Sequence, residues 1–221
     1  DTLIAPSKLK TMVYEDPVRT NGSLNLYEMP IEDHDYIITV DVARGVSKDY
    51  SAFIVFDITS FPYKVVGKYR NNEIKPMMFP SIIVETATAY NNAYILAEVN
   101  DIGDQVASII QFDLEYENVL MCAMRGRAGQ IVGTGFSGKK TQLGVKMSVT
   151  VKKVGCSNLK TLIEDDKLVI CDYDMISELT TFIQKRQSFE AEEGCNDDLA
   201  MCLVIFAWLV AQEYFKEMTD N

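Results

Sequence analysis

Apolar and polar positions change their period several times along the chain, and each change marks an element. Residues 36–42 and 51–57 are two runs rich in β-branched and aromatic side chains, separated by Gly45 and a cluster of small polar residues. That pattern predicts an antiparallel strand pair, and the lack of alternation predicts strands buried on both faces. Residues 63–70 alternate in a third strand after the short turn Ser60-Phe-Pro62, which makes a meander. Pro76 opens a helical stretch to about residue 92, with Met77, Met78, Ile82, Ile83 and Ala87 at helical spacing. A short apolar strand follows at 93–99 with Glu98 at its end, then a helix from about 102 to 114 and a fifth strand at 119–124.

From 125 to 142 the chain holds five glycines and no sustained period, which reads as a long flexible loop of the kind that usually serves function. A helix at 145–166 has Gly155 as a weak point; after it come a short strand at 168–171 and a helix that Asp172 caps, ending near 182. Residues 184–191 are polar and read as extended. The closing helix, 199–216, is apolar on every side over 199–211, 13 residues that are too few to span a bilayer and suit a buried core helix. Residues 1–35, broken by Pro6, Pro17 and Pro30, form a lead-in or small edge structure ahead of a domain at 36–221. The order predicts an α/β fold, a mixed sheet with helices on its faces.

Within this frame Asp41 is an anomaly. A carboxylate in an otherwise apolar strand loses several kcal/mol of hydration unless it is paired or bound to metal, so Asp41 calls for a cation. The alternative is a buried salt bridge to a Lys or Arg. Glu98 could end its strand in solvent, and Asp197-Asp198 could serve only as a helix N-cap, although two adjacent acids exceed that need.

The chain has 221 residues, 48% hydrophobic and 24% charged, which suits one globular domain with a sizeable core. Its five cysteines are widely spaced without a CxxC pair, as expected of a reducing compartment. No membrane segment or signal peptide is apparent, and the start at Asp1 suits a processed product or an excised domain. Net charge is −11, which taken alone argues against a nucleic-acid partner. Yet residues 125–160 hold eight basic side chains and no acid, so a cationic stretch is set against an anionic body. Within it, Gly133-Thr-Gly-Phe-Ser-Gly138-Lys-Lys-Thr141 approaches a phosphate-binding loop and fails on spacing, because Lys140 stands where Ser or Thr is needed.

Three stretches together, Thr-Val-Asp41-Val-Ala-Arg-Gly45-Val-Ser-Lys-Asp49-Tyr, Glu98-Val-Asn100-Asp-Ile-Gly103 and Glu193-Gly-Cys-Asn-Asp197-Asp198-Leu, give the chain its family likeness. It resembles the ribonuclease H-like fold, and more closely the nuclease domain of the large terminase subunit of tailed, T4-like bacteriophages. The resemblance covers nearly everything after residue 35 and departs at Asn196, where many relatives carry His. It implies a metal-dependent endonuclease that cuts double-stranded DNA during viral genome packaging. Asp41, Glu98 and Asp197 or Asp198 would hold two Mg²⁺ or Mn²⁺ ions, with Asp49 ordering the turn or supporting the metal shell. Arg125, Arg127, Lys139, Lys140 and Lys146, on a basic Gly-rich loop at 125–146, would meet the DNA backbone. The expected partners are a packaging ATPase domain upstream in the same polypeptide, the portal and the small terminase, in the host cytoplasm. The competing readings are a non-catalytic assembly module and a ribonuclease H-like ATPase or kinase.

Overall fold

The structure, a computed structural model, describes residues 1–43, 49–99, 102–135 and 141–219. The lead-in joins the fold directly. Leu3 and Ile4 are buried, a short helix α1 (Pro6–Leu9) follows, and β1 (Arg19–Asn21) pairs with β2 (Leu24–Leu26). The meander consists of β3 (Tyr36–Asp41), β4 (Ser51–Asp57) and β5 (Tyr63–Asn71), all antiparallel, with Asp41 opposite Ala52. Helix α2 (Phe79–Ala89) starts with Pro80 in its first turn and leads to β6 (Tyr94–Ala97), which lies parallel to β3. A seven-stranded mixed sheet results, in the order β1-β2-β5-β4-β3-β6, with β10 (Leu168–Val169) parallel to the start of β5.

Because side chains alternate across a strand, the sheet buries two cores. One face holds Ile38, Val40, Phe53 and Val55 under α2 and α3 (Gly103–Ser108). The other holds Ile37, Ile54, Phe56 and Leu96 under α4 (Val149–Glu164), α5 (Tyr173–Thr180) and α6 (Asp198–Val210). Helix α6 is the centre of the second core. Residues 199–209 are all buried, and Phe206 stacks on Phe56 with ring centroids 3.8 Å apart.

Gly155 is a contact point and not a weak point. A Cβ there would stand 2.6 Å from the carbonyl oxygen of Val204 and 2.7 Å from its Cγ1, so α4 and α6 approach as closely as they do because the side chain is missing. In an open helix Gly155→Ala would stabilise by about 1 kcal/mol. Here it is expected to destabilise by about 1–3 kcal/mol through overpacking, and a denaturant midpoint that stays put or rises would show that the helices can part.

Several sequence expectations are corrected. The loop from 125 to 142 contains two strands: β7 (Met121–Met124) pairs with both β8 (Gln130–Gly133) and β9 (Thr141–Gln142) in a small separate sheet. Strands of two to four residues are too short to show a period. Among the described residues the fifth predicted strand thus meets the main sheet through the bridge Ile95–Val119 and not as a paired strand. The helix expected to reach 114 is α-helical only to Ser108 and continues as a π-helix, Ile109–Asp113. The last helix breaks after Val210, and α7 (Glu213–Thr219) leaves at 77°, which lets Phe215 pack edge-on against Tyr63 and Phe206. Among the described residues no single helix is long and apolar enough to cross a membrane. Asp172 does cap α5, accepting the N–H of Met175 at 2.8 Å. The polar stretch before α6 is a hairpin of β11 (Phe182–Lys185) and β12 (Ser188–Ala191).

Candidate active site

Strand register decides which way each acid faces. On β3, Ile37 lies in the core under α6, and two residues on, the Thr39 hydroxyl donates to the carbonyl of Cys202 on α6 at 2.8 Å. Two residues further, Asp41 therefore points to the same side. Its parallel neighbour β6 has Leu96 in that core, which sends Glu98 to the same side, and the Glu98 N–H donates to the carbonyl of Val40 at 3.0 Å. Asp198 is the first residue of α6 and accepts a hydrogen bond from the Tyr50 N–H at the entrance to β4. The fold thus gathers Asp41, Glu98 and Asp198 at one end of the sheet. Asp41 is not closed in on both faces as its strand suggested: it is partly open to solvent.

Burial, then the charges of Glu98 and Asp198, hold the Asp41 carboxyl well above the usual carboxylate range, and Asp41 and Glu98 share a hydrogen bond. Asp198 is pushed up to about 7 by burial and by Asp197 and Asp49, against the N–H of Tyr50. Asp197 contributes less to Asp41 than Asp198 does, and its Oδ2 accepts the Ala191 N–H from β12 at 3.0 Å. Asp49 is exposed but close enough for its charge to raise Asp198. Among the described residues no Lys or Arg forms an ion pair with Asp41. No group of three or more His, Cys, Asp or Glu among the described residues is drawn together closely enough to hold an ion. Converging carboxylates that raise one another's proton affinity are a donor set that a hard divalent cation fits, because it removes their repulsion and prefers oxygen.

The wall beside Glu98 is built by a close backbone approach. Val145 bridges Glu98 in parallel, its N–H donating to the carbonyl of Ala97 at 2.9 Å and its carbonyl accepting from Val99 at 2.8 Å. Gly144 makes this possible: at φ +118° a Cβ would sit 2.2 Å from the carbonyl oxygen of Ala97. Lys146, two residues after Gly144, is exposed and, with Glu98, Phe112 and Gln142, lines a cleft of about 1070 Å³. Asp104 and Glu117 also face this cleft, so it is not uniformly cationic. Arg125 and Arg127 are exposed in the turn between β7 and β8. Lys139 and Lys140 lie outside the described residues.

The terminase RNaseH-like domain family model matches residues 38–214, which takes in the meander from Ile38 onward, all four acids and α6. The chain belongs to that family. Its terminase fold has solved counterparts. The magnesium-bound large terminase nuclease from thermophilic phage G20c has a TM-score of 0.69 at 21% identity, covering 94% of this chain and 96% of that one; it is also known with cobalt and with zinc. The large terminase nuclease domain of Thermus phage P74-26 has a TM-score of 0.65 at 20% identity, covering 93% of each. A longer large terminase, from another thermophilic bacteriophage, has a TM-score of 0.56 at 8% identity, and here 83% of this chain covers 41% of that one. The fold is therefore the terminase ribonuclease H-like one.

Sequence reasoning missed two residues of this terminase domain beside the acids. Glu178, 5% exposed on α5, accepts the N–H groups of Leu199 and Ala200 at 2.8 and 3.1 Å on Oε1, and Arg70 donates to its Oε2 at 3.0 Å. Burial pushes Glu178 up to about 8 despite these donors, with Asp198 adding to the rise. A signal was available: Glu178 shares the buried face of α5 with Met175 and Leu179, the same anomaly that exposes Asp41.

Proposed function

We propose that this domain is the nuclease of a viral genome-packaging terminase, a metal-dependent endonuclease that cuts double-stranded DNA. The observation that carries the reading is the convergence of Asp41, Glu98 and Asp198 from two parallel strands and a helix onto one face, with Asp41 raised chiefly by burial and by those acids. The magnesium held by the G20c nuclease supports it. Two Mg²⁺ or Mn²⁺ ions would supply an activated water and a stabilised leaving oxygen. Asp41 from β3, Glu98 from the end of β6 and Asp198 from the head of α6 would hold the ions, with Asp197 kept to an outer role by its bond to Ala191. Asp49 would support the shell from the turn before β4.

Arg125, Arg127, Lys139, Lys140 and Lys146 would meet DNA phosphates and steer the duplex towards the acids, against the −11 net charge of the chain. A packaging ATPase in the same polypeptide, the portal and the small terminase are the proposed partners, in the host cytoplasm. The longer large terminase, of which this chain covers 41%, is also known with ADP, and that supports the first of them.

The test is cleavage of plasmid DNA by the purified protein with Mn²⁺ or Mg²⁺ and in excess chelator. Cleavage only with the metal is expected; a protein that neither cuts DNA nor gains thermal stability from Mn²⁺ would be an assembly module instead. In the same assay Lys139→Glu with Lys140→Glu should weaken binding to all sequences alike and reduce the salt slope by about 0.9 for each phosphate no longer neutralised. Unaltered affinity and slope would move the DNA path elsewhere.

A further inference from the structure

An α-helix begins with N–H groups that have no partner inside it, and the residue before its first turn ordinarily satisfies them with a side-chain oxygen. At α6 that residue is Asp197, yet its side chain makes no cap. Its Oδ2 takes the Ala191 N–H, and the carboxylate of Asp198 takes the Tyr50 N–H. The N–H groups of Leu199 and Ala200 go instead to one oxygen of Glu178, 21 and 22 residues earlier in the chain, on a different helix. The other oxygen of Glu178 is held by Arg70 from β5. Arg70 is fixed in turn: its guanidinium also faces Asp174 at 3.5 Å and lies 4.6 Å from the ring centroid of Tyr50, the residue whose N–H bonds Asp198. Beside it, the buried Lys68 bridges Asp172 at 3.0 Å and Asp174 at 2.6 Å, tying β5 to the start of α5.

We infer that Glu178, anchored by Arg70, is the positioning residue of the active site: it caps α6 in place of Asp197, so that Asp197 can hold the Ala191 N–H of the neighbouring hairpin and Asp198 is presented to the metal centre at a fixed distance from Asp41. This role rests on the metal-site reading above. Glu178 is not itself aimed at the ions, since both of its oxygens are engaged by α6 and Arg70. The pairing also explains why two adjacent acids can open a helix without either acting as its cap.

The experiment measures Mn²⁺ affinity by calorimetry, together with kcat and KM for duplex DNA, in wild type, Glu178→Ala, Glu178→Gln and Arg70→Gln. Glu178→Ala is expected to weaken Mn²⁺ about 10- to 100-fold, the usual effect of losing a group that orients metal ligands, and to lower kcat while leaving KM for DNA unchanged. Glu178→Gln keeps an oxygen for Leu199 and Ala200 and should recover most of the affinity; Arg70→Gln should fall between. A folded Glu178→Ala protein with wild-type Mn²⁺ affinity overturns the positioning role and leaves the nuclease reading standing. Wild-type protein that binds no Mn²⁺ overturns both. Should Glu178→Ala not fold, Arg70→Gln decides, and wild-type affinity in that variant counts against the role. Amide exchange at Leu199 and Ala200 reads the cap itself: faster exchange in Glu178→Ala and not in Glu178→Gln is expected, and equal protection in both overturns the cap.

Discussion

Asp41→Asn should abolish DNA cleavage, by about three orders of magnitude or more, the scale of losing one member of a catalytic unit, while the metal-free protein melts at a higher temperature than wild type. The second half follows from the environment of the carboxyl. Burial and the charges of Glu98 and Asp198 raise its proton affinity in the folded state, so at neutral pH the ionised form opposes folding. An acid raised on folding destabilises at high pH, and that penalty fades as pH falls through the folded-state value, because the native protein then binds the proton more strongly than the unfolded chain. Asn keeps the shape and removes the charge. Each kcal/mol relieved should raise Tm by about 2–4 °C in a domain of this size, with the gain over wild type shrinking on acidification. Residual wild-type cleavage by the variant would end the two-ion reading; a lower Tm at alkaline pH would show that Asp41 is held by a cation after all.

The acids should also fail as a unit. Glu98→Gln and the double change Asp197→Asn with Asp198→Asn are each expected to cost orders of magnitude in kcat, and neither should add to Asp41→Asn, because groups holding the same ions act together. Of the two single changes at the head of α6, Asp198→Asn should cost more. Asp198 acts on Asp41 more strongly, whereas Asp197 is engaged with the Ala191 N–H. Single-turnover cleavage across the double-mutant set tests this, and rate losses that multiply would mean that the acids work independently.

The parts of this domain legible in the sequence are those with a strong local signature. The β-branched runs of β3 and β4, the apolar α6 and the Asp172 cap all follow from side-chain chemistry within one element. Asp41 was visible because it contradicts its surroundings. What escaped depends on contacts across the chain. β8 and β9 are too short to declare a period, and they exist because β7 offers each an edge to pair with. Gly155 reads as a helix weakness until Val204 stands over it. The choice between Asp197 and Asp198 turns on Ala191 and Tyr50, neither of which has a sequence relation to the pair that could be anticipated. Glu178 had a local signal, a carboxylate on the buried face of α5, but its partners lie on α6 and β5.

Helix α6 is enclosed from Leu199 to Leu209, and this divides the site unequally. A helix buried on every side over that span is expected to expose its amides only when the domain as a whole opens, and Asp198 sits at the head of that helix. Glu98 follows the four-residue strand β6, donates its N–H to Val40 on β3 and is bridged to Val145 on its other side. Only the Val145 side, which meets Glu98 through that one bridge, is expected to open at a lower cost than α6. If these acids form the proposed catalytic centre, warming is expected to disturb the Val145 wall beside Glu98 before the helix that carries Asp198, so that activity should fall below the melting temperature of the domain.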